Sequence, residues 1–383
     1  MENKPSSSPP PSSEPPSSEQ LAAEAIHAGD TGYHAQTPPN VTWAVPPKIV
    51  VQPSRGRFGR AFSWLGWLGL LICIPALIGM QVAYQEYFDN SGGVYERFHS
   101  GNKTAKNKVA IIEMRGAIFD GDGFVKRQIE RVADDENVKG IVLRINSPGG
   151  TVTGSDFIYH HLRQLVDDED RDLPMVVSMG AMAASGGYYV AMAVGDQEGS
   201  IYAEPTTTTG SIGVIIPHYD LSGLLERMDV KNDSIVSNPR KQLLSMTRKI
   251  SDEDRQILQR YVDQSFNRFK DIVRAGRPNL RNDPDALDRL ATGEIFTADQ
   301  AKKDGLIDEI GFVEDAIERV IELTGLDKDS VRVVRYKRPS TLLEAVGMKA
   351  VAAVDPQMSM LEMTVPRAYY MLTTVPGLTP LGE

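Results

Sequence analysis

The sequence of 383 residues predicts an α/β fold with a mainly parallel sheet, preceded by one transmembrane helix. The first observation is that, from residue 108 onward, apolar stretches of strand length alternate with amphipathic stretches of helix length, a pattern typical of βαβ units. The second is an uncharged run from Ala61 to Gln85, which is long enough to cross a hydrocarbon core of roughly 30 Å.

Composition excludes several classes of function. The net charge of −10 disfavours a nucleic-acid surface, which would be basic. The single cysteine, Cys73, cannot build a disulfide framework or a thiolate zinc site. The six histidines form no metal-spaced motif, and the adjacent His160 and His161 are interpreted as ordinary helix residues. No metal or cofactor is predicted.

The chain opens with a segment of unusual composition. Residues 1–60 hold 11 of the 24 prolines and include the low-complexity stretch PSSSPPPSSEPPSSEQ. Such a segment cannot bury enough apolar surface to offset the loss of chain entropy. We therefore expect a disordered cytoplasmic tail.

The uncharged run at 61–85 has the features of a membrane span. Trp64, Trp67 and Tyr84 lie near its ends, where interfacial aromatic residues are common. Three arginines precede the run and two carboxylates follow it, so the positive-inside rule places the N-terminus in the cytoplasm and the later residues across the membrane. A buried helix of a soluble protein and a cleaved signal peptide are the alternatives. Residues 86–107 are interpreted as a linker.

The predicted catalytic region, 108–326, begins with alternating strands and helices. The predicted strands are KVAIIEM, GIVLRIN and PMVVSM. The predicted helices are FVKRQIERVADDE, SDFIYHHLRQLVDD and the small-residue segment GAMAASGGYYVAMAV. Three further helices follow, the first capped by Ser251, the second capped by Thr297 and the third in FVEDAIERVIELTGL. Residues 327–383 form a C-terminal extension, with a short helix predicted over 341–354 and an apolar tail, PRAYYMLTTVPGL.

Ser185 is the candidate nucleophile. It lies in MAASGGYY, after a predicted buried strand and between residues no larger than alanine. At such a strand-to-helix turn the hydroxyl is open to a substrate carbonyl, and the N–H of Gly186 can point at a developing oxyanion. The alternative is a helix of small residues that packs closely on the sheet.

Two other motifs accompany this serine. NSPGG, which ends in Gly150, follows the second strand, and its glycines allow the backbone to approach a ligand closely. Because ligands collect at the carboxyl ends of parallel strands, Gly150 and Ser185 are expected at the same sheet edge. TTTTGSIGV is interpreted as a polar turn that runs into a short strand, where Ser211 could orient a catalytic group. Each motif alone could be purely structural.

The general base is the least defined part of the site. His218 is the histidine that follows Ser185 in the chain, and it lies in a predicted loop. Serine catalysis can instead use a neutral lysine, whose ordinary pKa of about 10.4 must be lowered by burial to near 7. Lys231, Lys241 and Lys249 are the nearby candidates. Spacing leaves the choice open and favours Lys241, since two leucines follow it closely.

In this order and at these separations, NSPGG, MAASGGYY and TGSIGV resemble the signal peptide peptidase A family of bacterial serine proteases. The resemblance covers about Lys108 to Leu326. It implies a fold akin to Clp protease and crotonase, with a parallel sheet and ββα units. It also implies a Ser–Lys dyad that hydrolyses hydrophobic peptides, including signal peptide remnants, and it places the predicted anchor in the cell inner membrane.

The resemblance also implies a role for each matching residue. Ser185 is the nucleophile, and Gly150 and Gly186 supply the oxyanion donors. Ser211 hydrogen-bonds the lysine, and Lys241 matches the lysine itself. The residues before Lys241 depart from the family pattern, so Lys249 stays an alternative.

Members with one copy of the catalytic region take the serine and the lysine from neighbouring subunits. The resemblance therefore implies a homo-oligomer with active sites at subunit interfaces. The competing interpretations are a crotonase-type acyl-CoA enzyme, an inactive membrane scaffold, and a protease that uses His218 as base. The sequence leaves open whether the apolar C-terminal tail guards the site or docks on the membrane.

Overall fold

The computed structural model describes residues 57–88, 93–171, 173–338 and 368–371. These ranges leave out residues 1–56 of the tail that is predicted to be disordered. They also leave out residues 341–354, where a helix is predicted. The chain divides into two units, Met1–Ile72 and Cys73–Glu383. Every strand described below belongs to the second unit.

Helix α1, Arg57–Phe88, contains the whole uncharged run. Large apolar side chains such as Trp67, Leu71 and Leu77 are exposed along it. Among the residues that the structure describes, none of the helices combines the length and the apolar character needed to cross a membrane.

The described residues form a nine-stranded sheet and a separate two-stranded one. The strands are β1 Tyr95–Gly101, β2 Asn107–Arg115, β3 Val138–Ser147, β4 Gly149–Thr151, β5 Met175–Ala184, β6 Ile201–Ala203, β7 Thr208–Gly210, β8 Ile295–Thr297, β9 Glu309–Ile310, β10 Val331–Lys337 and β11 Tyr369–Met371. The large sheet has the order β1-β10-β2-β3-β5-β6-β9, with β7 on β5 and β8 on β7. The small sheet pairs β11 with β4.

The large sheet is mostly parallel, which confirms the predicted α/β class. Its antiparallel pairs are β1 with β10 and β7 with β8. Strands β1 and β10 lie outside the predicted limits of 108–326, in the stretches interpreted as linker and extension. The ββα arrangement of a Clp-like fold stays a prediction.

Helices cover both faces of the sheet. The remaining helices are α2 Phe124–Ala133, α3 Val152–Val166, α4 Gly186–Ala191, α5 Ser222–Arg227, α6 Asp252–Gly276, α7 Pro278–Arg281, α8 Pro284–Leu290, α9 Ala298–Lys303 and α10 Val313–Thr324. Successive side chains of β3 alternate between two cores because a strand has a period of two. Leu143 packs in the core that contains Leu162 of α3, and Val142 packs in the core that contains Val320 of α10.

The predicted caps are confirmed. The Ser251 side chain accepts from the N–H of Asp254 at the start of α6, and Thr297 forms a capping box with Gln300 at the start of α9. Each cap satisfies backbone N–H groups that have no partner within the helix.

Two predicted elements are wrong in detail. The segment GAMAASGG is not helical from its start, because β5 continues to Ala184 and the helix begins only at Gly186. The register pairs Ala183 with both Ser147 and Thr209, so neighbouring strands on both sides hold this backbone extended. In TTTTGSIGV the strand precedes the turn, since β7 ends at Gly210.

Candidate active site

Ser185 joins β5 to α4 in a constrained conformation. Its φ of 54° is one that side chains other than glycine rarely adopt. Its N–H donates to the Gly210 carbonyl at 2.7 Å, and its carbonyl accepts from the Tyr189 N–H at 2.8 Å. The residue is 1% exposed. Backbone bonds on both sides therefore hold Ser185 in the turn that the sequence predicted.

Ser211 lies beside Ser185 and shares its unusual conformation. Its φ is 52°, and its N–H donates to the Glu294 carbonyl at 2.6 Å. The pairing of β5 with β7 puts Ala184 opposite Gly210, so the two serines follow paired residues. Within the described chain, positive φ at a residue other than glycine occurs at these two serines and at Asp229.

Gly150 of β4 and Gly186 of α4 are brought together, although more than thirty residues separate them in the chain. A Cβ built on Gly186 would lie 3.1 Å from the Gly150 nitrogen and 2.3 Å from the Ser155 hydroxyl oxygen. A Cβ on Gly150 would lie 1.8 Å from the Ile118 carbonyl oxygen. Both positions therefore require glycine, and the backbone of Gly150 lies against that of Gly186, the residue after Ser185.

Lys241 lies in a different environment. It belongs to a short 3-10 turn, Pro239–Gln242, capped by the Asn238 side chain. Its side chain is exposed and forms no hydrogen bond or ion pair with the described residues, whereas its backbone N–H donates to the Asn238 carbonyl at 2.9 Å. The structure therefore assembles Ser185, Ser211 and the two glycines in one chain, but it does not bring Lys241 into contact with them.

The alternative bases are also apart from Ser185. Lys231 and Lys249 are both exposed. The His218 ring nitrogen Nε2 lies 3.4 Å from the Ser245 carbonyl oxygen. None of these three side chains contacts the serine within the described residues.

Strand β11 reaches the site from the apolar tail, an arrangement that the sequence did not predict. It pairs antiparallel with β4, with Tyr370 opposite Gly150. The buried Tyr370 ring stacks on the Tyr189 ring, with 5.1 Å between the ring centroids. Its centroid lies 4.6 Å from the centroid of the Phe269 ring. Its hydroxyl donates to the Ser265 carbonyl at 2.7 Å. The two adjacent tyrosines in the tail were the available sign of this contact.

The phenol groups of Tyr370 and Tyr189 stay uncharged. Burial raises the pKa of Tyr370, and burial together with a hydrogen bond to Asp156 raises the pKa of Tyr189. Both hydroxyls therefore remain protonated at neutral pH and act as donors. Arg268 lies 3.2 Å from the Asp156 carboxylate and partly compensates its charge.

A cavity lies next to β4 and Ala368. This open cavity of about 520 Å³ is lined by Phe119, Thr151, Phe157 and Tyr261, among others, and it adjoins Ala368. In the described part of the chain, no three histidine, cysteine, aspartate or glutamate side chains lie close enough together to hold a metal ion. Ser185 does not line this cavity, and the chemistry available around Ser185 is that of a serine hydroxyl with backbone amides nearby.

Comparison with known proteins agrees with this geometry. Residues 167–327 match the model of peptidase family S49. Over 240 residues the chain is 37% identical to "Putative protease slr0021" of Synechocystis sp., across 63% of this chain and 83% of that protein.

Two other relatives are longer than the region they share with this chain. "Putative signal peptide peptidase SppA" of Enterococcus faecium is 35% identical over 56% of this chain and 59% of its own length. "Protease 4" of Salmonella typhi is 34% identical over 57% of this chain and 35% of its own length. The chain thus matches less than two thirds of each of these two proteins.

Proposed function

Since the chain belongs to peptidase family S49, in line with its predicted resemblance to signal peptide peptidase A, we propose that it is a serine endopeptidase with a Ser–Lys dyad. Ser185 is the nucleophile and Lys241 is the general base. The observation that carries the proposal is the strained turn at Ser185, with Gly150 and Gly186 in contact beside it. Strain of this kind is often held at functional sites.

The proposed reaction follows from these positions. The Ser185 hydroxyl attacks a peptide carbonyl and gives its proton to the neutral amine of Lys241. The N–H groups of Gly150 and Gly186 stabilise the oxyanion, and Ser211 orients the lysine. Lys241 then protonates the leaving amine, and water hydrolyses the acyl ester.

The exposure of Lys241 supports the proposal of a homo-oligomer. A lysine base must be mostly neutral at pH 7, which requires removal of water from around its amine. A second copy of the chain would provide that cover. Exposed apolar side chains on the preceding segment, Leu224, Met228, Val230 and Ile235, supply a surface that a neighbouring subunit can bury.

We propose, from the sequence pattern of residues 61–85, that they anchor the protein in the cell inner membrane, with a cytoplasmic N-terminus and the peptidase domain on the opposite side. The proposal goes against the finding that no described helix combines the length and the apolar character needed to cross a membrane. The absence of charge in this run and the exposed Leu71, Ile72 and Leu77 support the proposal. An anchored peptidase is well placed to hydrolyse hydrophobic peptides such as the signal peptide remnants that secretion leaves in the membrane.

A serine-directed phosphonate probe tests the nucleophile and the location together. Membranes that contain the protein are labelled, extracted at alkaline pH and digested for peptide mapping. We expect the label on Ser185 and the labelled protein in the membrane pellet. Labelling of another residue, or full activity of Ser185→Ala, would refute the mechanism, and release of the labelled protein into the supernatant would refute the anchor.

The identity of the base is tested by three substitutions. We expect Lys241→Ala to abolish peptidase activity, and we expect Lys249→Ala and His218→Ala to retain it. An active Lys241→Ala variant together with an inactive Lys249→Ala or His218→Ala variant would reassign the base.

A further inference from the structure

A buried serine that the proposed reaction does not use, Ser155, lies against Gly186. It belongs to the first turn of α3, and it is fully buried. Its hydroxyl donates to the Thr151 carbonyl at 2.9 Å. Thr151 is the last residue of β4 and also caps α3, since its side chain accepts from the Gly154 N–H at 3.0 Å. Ser155 is therefore fixed to the strand that carries Gly150.

The Ser155 hydroxyl oxygen occupies the space in which a side chain of residue 186 would lie. A Cβ on Gly186 would be 2.3 Å from this oxygen, closer than the 3.0 Å that real Cβ contacts respect. The same point lies 3.1 Å from the Gly150 nitrogen. The hydroxyl, the Gly150 amide and the Gly186 backbone thus meet around one point, beside the residue that follows Ser185.

The hydroxyl of Ser155 does little for the helix that carries it. Alanine has a higher helix propensity than serine, and a serine hydroxyl that bonds back to the carbonyl four residues earlier slightly destabilises a helix. The bond from Ser155 to the Thr151 carbonyl is of this kind. Helix stability therefore does not explain a serine at this position, whereas its contact with Gly186 gives it a role.

The backbone of Gly186 needs a restraint of this type. Glycine has the widest conformational freedom of all residues, and Gly186 follows Ser185, whose φ of 54° is strained. A strained residue keeps its conformation only where the surrounding structure holds it. Without a contact on Gly186, the turn can relax by rotation of the glycine backbone. Such a rotation would move the N–H that we assign to the oxyanion.

We propose, on the basis of the proposed peptidase function, that Ser155 is a positioning residue whose hydroxyl oxygen holds the Gly186 backbone in the orientation that donates to the oxyanion. In this role Ser155 neither contacts the substrate nor transfers a proton. The oxyanion develops only in the transition state. The rate of the chemical step should therefore depend on the Ser155 hydroxyl, whereas substrate binding should not.

Steady-state kinetics of Ser155→Ala tests this role. We expect kcat to fall by about 10-fold, because a small displacement of a donor slows the chemical step, and KM to stay within about twofold. Labelling of Ser185 by the phosphonate probe should slow by the same factor as kcat, since the adduct also places an oxygen against the oxyanion donors. The matched control, Ser200→Ala, removes an equally buried hydroxyl from a residue that bonds to Val177, near the start of β5, and should leave both rates unchanged.

The outcomes separate this role from the peptidase proposal. Wild-type kcat in Ser155→Ala, or an equal loss in Ser200→Ala, would overturn the role of Ser155 alone, provided that the probe labels Ser185 in the wild type. Absence of that label in the wild type would overturn the peptidase proposal and the role of Ser155 together.

A double variant tests the contact itself. Gly186→Ala should lose most of its activity, because the new Cβ would lie 2.3 Å from the Ser155 oxygen. Ser155→Ala removes that oxygen and vacates the space, so the double variant should be at least about 10-fold more active than Gly186→Ala alone, as expected for two residues in contact. A double variant that is no more active than Gly186→Ala would overturn the proposed contact.

Discussion

At the scale of single residues, Ser185 and Ser211 adopt backbone conformations that cost on the order of 1–3 kcal/mol each. The surrounding structure holds them there through the bonds from Ser185 N–H to Gly210 and from Ser211 N–H to Glu294. Since β5 and β7 are paired at Ala184 and Gly210, one sheet register determines both positions. The strain and the close glycine contacts therefore belong to a single arrangement.

Gly150 allows a direct test of that arrangement. In Gly150→Ala, the new Cβ would lie 1.8 Å from the Ile118 carbonyl oxygen, so the backbone that carries the proposed oxyanion donor must shift. We expect a loss of about 100-fold or more in kcat, the order of loss seen when one oxyanion donor is removed. Peptide hydrolysis and the thermal melting curve are the measurements.

The control for this substitution is Gly223→Ala. Gly223 lies in α5, and a Cβ there would have no neighbour within 4 Å. The activity of the Gly223→Ala variant should remain within about twofold of the wild type, because alanine causes no strain at an exposed helix position. Wild-type activity in Gly150→Ala would contradict the role of Gly150.

At the scale of elements, Arg248 connects the turn that carries Lys241 to the start of α6. Its Nε donates to the Gln242 carbonyl at 3.0 Å, and its guanidinium pairs with Asp254 at 2.6 Å. The Arg248 guanidinium in turn holds the pKa of the Asp254 carboxyl below its ordinary value. Because α6 packs into the main core through Phe269, this bridge ties an exposed turn to a rigid element.

Arg248 is therefore expected to act as a positioning residue. Arg248→Gln should lower kcat by about 10-fold and leave KM nearly unchanged, because small displacements of a catalytic group slow the chemical step. Steady-state kinetics on an apolar peptide separates the two parameters. The matched control is Arg255→Gln, which replaces an exposed side chain on α6 and should change neither kcat nor KM. A change confined to KM, or an equal loss in both variants, would argue against the role of Arg248.

At the scale of the whole molecule, the described chain holds the proposed nucleophile, Ser185, buried and the proposed base, Lys241, exposed. Ser185 lies at the carboxyl end of β5, an interior strand of the large sheet. Lys241 belongs to a segment whose apolar side chains are largely uncovered. If neighbouring subunits exchange these groups, each active site contains residues from two chains, as a heterologous interface allows. Activity would then depend on assembly as well as on folding.

Mixing two inactive variants tests this exchange. Ser185→Ala and Lys241→Ala chains, unfolded and reassembled together at equal amounts, should recover about a quarter of wild-type activity, since half of the sites receive an intact serine and half of those an intact lysine. Each variant reassembled alone is the control. No recovery in mixed assemblies of demonstrated composition would place both groups in the same chain.

Sequence reasoning succeeded where the signal is local. The strands KVAIIEM and GIVLRIN, the caps at Ser251 and Thr297, and the turn at Ser185 were each predicted from adjacent residues, and the structure contains all of them. The prediction of a helix was wrong for GAMAASGG, because small residues favour neither helix nor strand. The pairing of β5 with both β3 and β7 makes the segment a strand up to Ala184. The roles of all five candidate site residues stay predictions: Ser185, Lys241, Ser211, Gly150 and Gly186.

By itself, the sequence determined the α/β class, the alternation of β2, α2, β3, α3 and β5, and the motif that contains Ser185. Apolar periodicity, helix caps and glycines act over a few residues, so they can be interpreted without knowledge of distant segments. The tertiary structure alone decided that Gly150 meets Gly186 and that Tyr370 pairs with Gly150. Those contacts join segments far apart in the chain, and a three-residue strand such as β11 has no periodicity that reveals its partner.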